Sequence, residues 1–168
     1  MQTIEGLETR AQGHAAIWTK RGFLTLLAVF VLAGVAGLLG VRTTTASDRA
    51  DGWELQLRHA AVARSGLDVP WEVTVHREGG FGKDVVLAVT GDYFDIFETQ
   101  GFTPEPSEAT RDADTLLLTF TAPPGDTFVV AYDAYIQPAA QQGAEGTLAV
   151  LDGGERVASV DFSTTVLP

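Results

Sequence analysis

Residues 22–41, GFLTLLAVFVLAGVAGLLGV, form a run of twenty positions without a charged, amide or imidazole side chain. Twenty helical residues extend about 30 Å, which matches the hydrocarbon core of a bilayer. Because backbone polar groups in lipid must be satisfied within the segment, we expect an α-helix that crosses a membrane once. The run divides the chain into a tail over 1–21, a transmembrane helix over 22–41, a linker over 42–52 and a domain over 53–168.

Charges at the two ends of the apolar run indicate its orientation. Lys20 and Arg21 precede it directly, whereas Arg42 and Arg49 follow it among acidic residues. Positive residues favour the cytoplasmic side, so we predict a cytoplasmic N-terminus and an extracytoplasmic domain anchored in the cell membrane. A cleaved signal peptide is the alternative, since residues 44–46 (TTA) resemble a cleavage site, but a secretory apolar region has about 7 to 15 residues, which favours an uncleaved anchor.

Small residues recur four positions apart within the run, as Ala33 with Gly37 and Ala36 with Gly40. This spacing lets two membrane helices approach closely. It therefore predicts that this face of the helix packs against a second membrane helix.

The charge of the chain is concentrated after the apolar run. Residues 52–168 hold six basic and eighteen acidic side chains, against a net charge of -11 for the whole protein. Such a domain repels nucleic acid and favours cationic partners. There is no cysteine, which excludes disulfides and thiolate metal sites, and the nine arginines against two lysines are typical of a GC-rich bacterial genome.

From residue 53 the hydrophobic period changes to two, as in strands with one buried face. Segments with strand character, separated by turns rich in glycine and proline, lie near 53–57, 71–75, 84–90, 115–121, 127–136, 146–151 and 156–166. The glycine pair in 152–155 (DGGE) predicts a hairpin. Seven or eight short strands without a soluble helix favour an all-β, immunoglobulin-like antiparallel β-sandwich, with a small closed barrel as the alternative.

The stretch from residue 71 to 168 also resembles known modules. Its VTV strand at 73–75, its PPGDT turn into FVVAYDAYI at 123–136 and its final strand ending at Leu167 are similar to immunoglobulin-like modules of bacterial envelope proteins. The same features resemble small membrane-anchored proteins of actinobacteria. The resemblance implies an envelope location and no particular activity.

Carboxylates and aromatic rings alternate in residues 91–98 (GDYFDIFE), which we consider as either an extended segment or a helical turn. One interpretation is that the rings close one end of the domain while the acids stay hydrated. The functional hypothesis is a partner-binding loop, because function often resides in loops. Its predicted residues are Asp92, Tyr93, Phe94, Asp95, Phe97, Glu98 and Phe102.

A calcium site is the alternative hypothesis for this segment, since Ca²⁺ binds several oxygen ligands. The predicted ligands are Asp92, Asp95, Glu98, Asp112 and Asp114. A hydrolase with paired carboxylates is a further alternative. We expect His59 and His76 on the outward phase of their strands, and no G-x-S-x-G turn or phosphate-binding glycine loop is present.

The sequence thus predicts no catalytic residue and no cofactor. The leading hypothesis is a single-pass envelope protein whose outward domain binds another membrane or envelope protein or serves as an accessory subunit.

Overall fold

The structure, a computed structural model, describes residues 9–35, 40–98 and 101–167. The chain divides into two units, Met1–Gly40 and Val41–Pro168. The first contains α1 (Thr9–Val35), in which Ala15–Val35 is long and apolar enough to cross a membrane. The prediction of one apolar N-terminal helix is confirmed.

The helix differs in its limits from the predicted 22–41. It begins at Thr9, and Gly40 and Val41 are not helical. Val41 instead packs against the hydrophobic core of the second unit, directly before the first strand. The predicted pairing of Ala36 with Gly40 on one helix face is therefore wrong, because Gly40 is not helical. Ala33 lies on α1, whereas Ala36 and Gly37 lie outside the described residues.

In its described residues, the second unit consists of β-strands and one short 3-10 helix, η1 (Gly91–Ile96). The strands are β1 (Arg42–Ala50), β2 (Trp53–Arg64), β3 (Asp68–Val69), β4 (Trp71–Arg77), β5 (Asp84–Thr90), β6 (Phe102–Thr103), β7 (Glu108–Asp112), β8 (Thr115–Thr121), β9 (Thr127–Tyr132), β10 (Ala134–Tyr135), β11 (Ala144–Asp152) and β12 (Glu155–Leu167).

Ten of these strands join one hydrogen-bonded sheet. Its order is β6-β9-β4-β2-β12-β11-β5-β8-β7, with β1 paired to β2 beside this path, while β3 and β10 form a separate pair. The neighbouring strands are antiparallel except where β12 runs parallel to the end of β2. Phe120 on β8 and Phe128 on β9 lie near opposite ends of this order, yet their ring centroids are 5.1 Å apart, so the sheet folds back on itself around one core.

The predicted linker over 42–52 is wrong, because Arg42–Ala50 forms β1, which pairs with β2 along its length. Asp51 and Gly52 make the two-residue turn of this hairpin, with φ angles of 51° and 80°. A turn of this hand matches the twist of paired strands and favours Asp-Gly. The polar residues of β1 lack alternation because most of its side chains are exposed.

The all-β class is confirmed, and β5 and β8 have the bounds that the sequence predicts. The DGGE hairpin is also confirmed, since Asp152 pairs with Glu155. The described residues contain more strands than the predicted seven or eight, because β1 and the exposed β7 lack an apolar period and three further strands have two residues each. The immunoglobulin-like sandwich and its barrel alternative stay predictions.

Candidate functional site

The acidic aromatic loop begins with η1, which follows directly after β5. The backbone N–H of Gly91 donates to the carbonyl of Asp114 at 2.7 Å, which fixes the start of η1 beside the β7–β8 turn. Phe97 ends η1 in extended conformation, and its N–H donates to the carbonyl of Phe94 at 3.0 Å. Of the two conformations considered for this segment, the helical turn is the one observed, as a 3-10 helix.

Backbone hydrogen bonds tie the loop to β10 and to the residues that follow it. The N–H of Glu98 donates to the carbonyl of Tyr135 at 2.9 Å, and the N–H of Gln137 donates to that of Ile96 at 2.9 Å. The Gln137 side-chain amide donates to the carbonyl of Phe97 at 2.6 Å. The loop is therefore held by its backbone on the side that faces the domain.

The aromatic side chains of the loop point into the domain together with Phe102 of β6. Tyr93 and Phe97 are buried, whereas Phe94 and Phe102 are half-buried and pack against the same core. The ring of Trp71 lies 5.4 Å from that of Phe94 in an edge-to-face arrangement. Each such aromatic pair stabilises a fold by roughly 0.5–1.5 kcal/mol in addition to the effect of its buried area. The cluster therefore closes and stabilises this end of the sheet.

A chain of hydroxyl groups fastens η1 to the neighbouring strands. The Thr164 hydroxyl donates to the carbonyl of Ala60 at 2.6 Å, which leaves its oxygen to accept from Tyr93 Oη at 2.8 Å. Both side chains are buried. Burial raises the pKa of Tyr93 to about 12, while the bond to Thr164 acts in the opposite direction. Tyr93 is thus a neutral structural group that keeps its phenolic proton near neutral pH.

The carboxylates of the loop face solvent. Asp92, Asp95 and Glu98 are all exposed, and Asp92 forms an ion pair with Arg111 of β7. The Arg111 guanidinium lies over Gly91, where an added Cβ would approach it to 3.0 Å, and its Nε donates to the carbonyl of Ala113. The loop thus combines an apolar inner side with an acidic outer side.

The predicted calcium site is not formed. Among the described residues, which include all five predicted ligands, no three acidic or histidine side chains are placed to hold a metal ion. Asp92 is occupied by Arg111 instead. The five predicted calcium ligands therefore lie near one end of the sheet but do not converge on a common point.

The prediction for His59 is also wrong, because this residue is only 3% exposed. It shares the inward phase of β2 with Leu57 and lies opposite Trp71 of β4. Its ring stands 5.4 Å from that of Phe162. His76 is on the outward phase as predicted, half-exposed near Asp126.

Open depressions mark the surface beside the loop. One of about 450 Å³ is lined by Asp95, Ile96 and the segment 137–143. A second, of about 570 Å³, is lined by hydroxyl and carboxylate groups of β11 and β12, where the Thr147 hydroxyl donates to Asp161 at 2.6 Å. These surfaces offer hydrogen-bonding groups and negative charge to a ligand.

Sequence reasoning missed four contributors to this region: Thr164, Arg111, Gln137 and Ala60. They come from β12, β7, the segment after β10 and β2. A local pattern gives no signal for them, because Thr164, Arg111 and Gln137 reach the loop only in the folded domain, and Ala60 is linked to it through Thr164.

No protein-family model matches this chain, and no curated protein matches it significantly.

Proposed function

We propose that this protein is a non-catalytic, single-pass protein of the bacterial cell membrane whose C-terminal β domain lies outside the cytoplasm. The domain binds another membrane or envelope protein, or serves as an accessory subunit of a membrane complex. Its contact surface is the acidic outer side of the loop formed by η1 and residues 97–98.

The anchor in this proposal is α1. Its segment Ala15–Val35 has a mean hydropathy of 1.6, and none of that window is buried within the chain. An exposed apolar helix of this length is stable in lipid and unstable in water. Lys20 and Arg21 favour a cytoplasmic N-terminus, which puts the acidic domain on the other side.

One observation supports this choice of binding surface. The rings of η1 point inward and its carboxylates point outward, on a backbone that is fixed by hydrogen bonds. Asp92, Asp95 and Glu98 are exposed, whereas Tyr93 and Phe97 are buried. A fixed loop loses little conformational entropy on binding, which favours recognition. The exposed charges fit a partner with a cationic surface, since complementary charges increase association rates and specificity.

This arrangement changes the roles of the predicted residues. Tyr93 and Phe97 position the loop from within the core, together with the half-buried Phe94 and Phe102. The partner contacts in the proposal are Asp95 and Glu98, with Asp92 held by Arg111 at the edge. Replacing the buried rings would disturb the fold, so the test uses the exposed carboxylates.

The test is a pull-down of the full-length tagged protein from detergent-solubilised membranes of its own cells. The test variant carries Asp95→Lys and Glu98→Lys, and we expect it to lose partners that the wild type retains. The matched control carries Asp84→Lys and Glu155→Lys, two exposed carboxylates at the starts of β5 and β12. Both variants change the net charge equally, so the control separates local from overall charge.

Retention of every partner at wild-type yield by the Asp95/Glu98 variant, with an unchanged melting temperature, contradicts the loop as the contact surface. Equal loss in both variants indicates attraction by net charge and also contradicts it.

A further inference from the structure

His59 is a titratable group that the proposed function does not use. It lies on the inward face of β2 and is 3% exposed, and its Nδ1 has no hydrogen-bond partner among the described residues. Burying a polar atom without a partner costs free energy, and burying a charge costs far more. The fold therefore accommodates a neutral imidazole and opposes an imidazolium.

The charged groups near His59 are not placed to stabilise the positive charge of a protonated imidazole. Arg58 of β2, Glu72 of β4 and Asp161 of β12 belong to the outward phase of their strands, opposite to His59 and its neighbours Trp71 and Phe162. Asp48 of β1 shares the inward face of its strand pair, but it lies opposite Leu55, and its carboxylate accepts from the N–H of Ser159.

The remaining titratable group in contact with this region is Tyr93 of η1, which packs on the same phenylalanine ring and stays neutral up to high pH. Burial lowers the pKa of His59, and nearby backbone groups of Leu57 and Ser163 offset part of this effect. Glu72 and Asp161 point outward and the Asp48 carboxylate is bonded to Ser159, so none of these carboxylates on the adjoining described strands faces the imidazole.

Two routes of contacts connect His59 with the loop. The ring of Phe162 touches both groups, with its centroid 5.4 Å from that of His59 and 4.6 Å from that of Tyr93. Ala60, the next residue after His59, accepts the hydrogen bond from Thr164, which in turn accepts from Tyr93. Phe162, and Ala60 with Thr164, thus link His59 to η1 along two routes.

We propose that His59 is an acid-sensitive switch for the η1 loop. Uptake of one proton by the buried imidazole makes its site between Phe162 and Trp71 unfavourable. The charged ring then draws water into the core, and the contacts of Phe162 with Tyr93 and of Ala60 with Thr164 loosen. The acidic outer surface is therefore fixed at neutral pH and mobile in acid. The switch acts on the loop itself, whatever the identity of a partner.

The first experiment measures urea unfolding of the full-length protein in detergent between pH 8 and pH 5, followed by tryptophan fluorescence. For the wild type, the folding equilibrium constant is expected to fall by up to about tenfold per pH unit below pH 6.5, the limit for uptake of one proton. His59→Phe keeps a ring in the core but cannot titrate, so its acid loss should be smaller. His76→Gln, which removes an exposed imidazole, should follow the wild type. Parallel curves for the wild type and His59→Phe overturn the proposal.

The second experiment needs only the wild type, in case His59→Phe fails to fold. Proton NMR follows the imidazole signals, and the proposal requires one histidine to titrate below the ordinary value of about 6.5. Amide exchange, corrected for intrinsic rates, then reports on the loop. Faster exchange in acid at Phe97 and Glu98, with β5 and β8 still protected, supports local opening. Normal titration of every histidine, or unchanged protection of these two amides, overturns it.

Discussion

Tyr93 Oη lies 2.8 Å from Thr164 Oγ1 and joins η1 to β12 across 71 residues of sequence. Both residues are almost completely buried, and the Thr164 hydroxyl donates a hydrogen bond to the carbonyl of Ala60. This chain of donors satisfies two hydroxyl groups and one carbonyl within the core. It is one of the polar contacts that hold the candidate loop against the sheet, and it gives two testable predictions.

Removing either hydroxyl should destabilise the domain, by unequal amounts. Tyr93→Phe leaves the Thr164–Ala60 bond intact, so we expect a loss of about 1 kcal/mol in the free energy of unfolding. Thr164→Val leaves both Tyr93 Oη and the Ala60 carbonyl without this partner, and should cost about 1–3 kcal/mol. Urea denaturation of the two single variants and the double variant measures the coupling. Strictly additive losses would show that the two hydroxyls do not interact.

Tyr93 should also make the domain sensitive to alkali. Its folded pKa is raised to about 12 from an ordinary value of 10.0. Because the neutral phenol is favoured in the fold, this stabilisation is complete below about pH 10 and is lost as the pH rises towards 12. Denaturation midpoints of the wild type should fall over this range more steeply than those of Tyr93→Phe. Identical slopes would contradict the burial of this phenol.

Gly143 should tolerate no side chain. A Cβ built at this position overlaps the carbonyl oxygen of Thr164, which belongs to the backbone and cannot move independently. We expect Gly143→Ala to cost about 2–3 kcal/mol of stability, as overpacking does. Gly82→Ala is the matched control, since an added Cβ there meets nothing within 4 Å, and it should stay within about 0.5 kcal/mol of the wild type. Similar melting temperatures for both variants would contradict this packing.

The Asp92–Arg111 ion pair should contribute little to stability. Its two side chains are 62% and 49% exposed, and surface pairs typically contribute 0.2–1 kcal/mol. Asp92→Asn should therefore lower the free energy of unfolding by no more than about 1 kcal/mol. Millimolar calcium should leave the melting temperature of the wild type unchanged, because the neighbouring carboxylates do not converge. A calcium-dependent rise that Asp92→Asn abolishes would restore the calcium hypothesis.

The all-β class and most of the strands were predictable because alternation is a local property. The inward residues Leu55, Leu57, Val73 and Val75 are completely buried, as their period requires. His59 lies two positions after Leu57 and therefore shares its inward phase, so the alternation itself predicts a buried His59 and not the outward position expected above. The Asp51–Gly52 dipeptide is likewise typical of a two-residue hairpin turn, and it predicts that the residues before it form a strand.

The sequence by itself determined the apolar helix, the acidic character of the domain, and the phase of each alternating strand, because these depend on neighbouring residues alone. The tertiary structure decided which side chains meet. Thr164 and Ala60 reach Tyr93, and Arg111 reaches Asp92, only after β12, β2 and β7 have been placed in register. Pairing over such distances depends on packing of the whole core, and a local pattern carries no record of it.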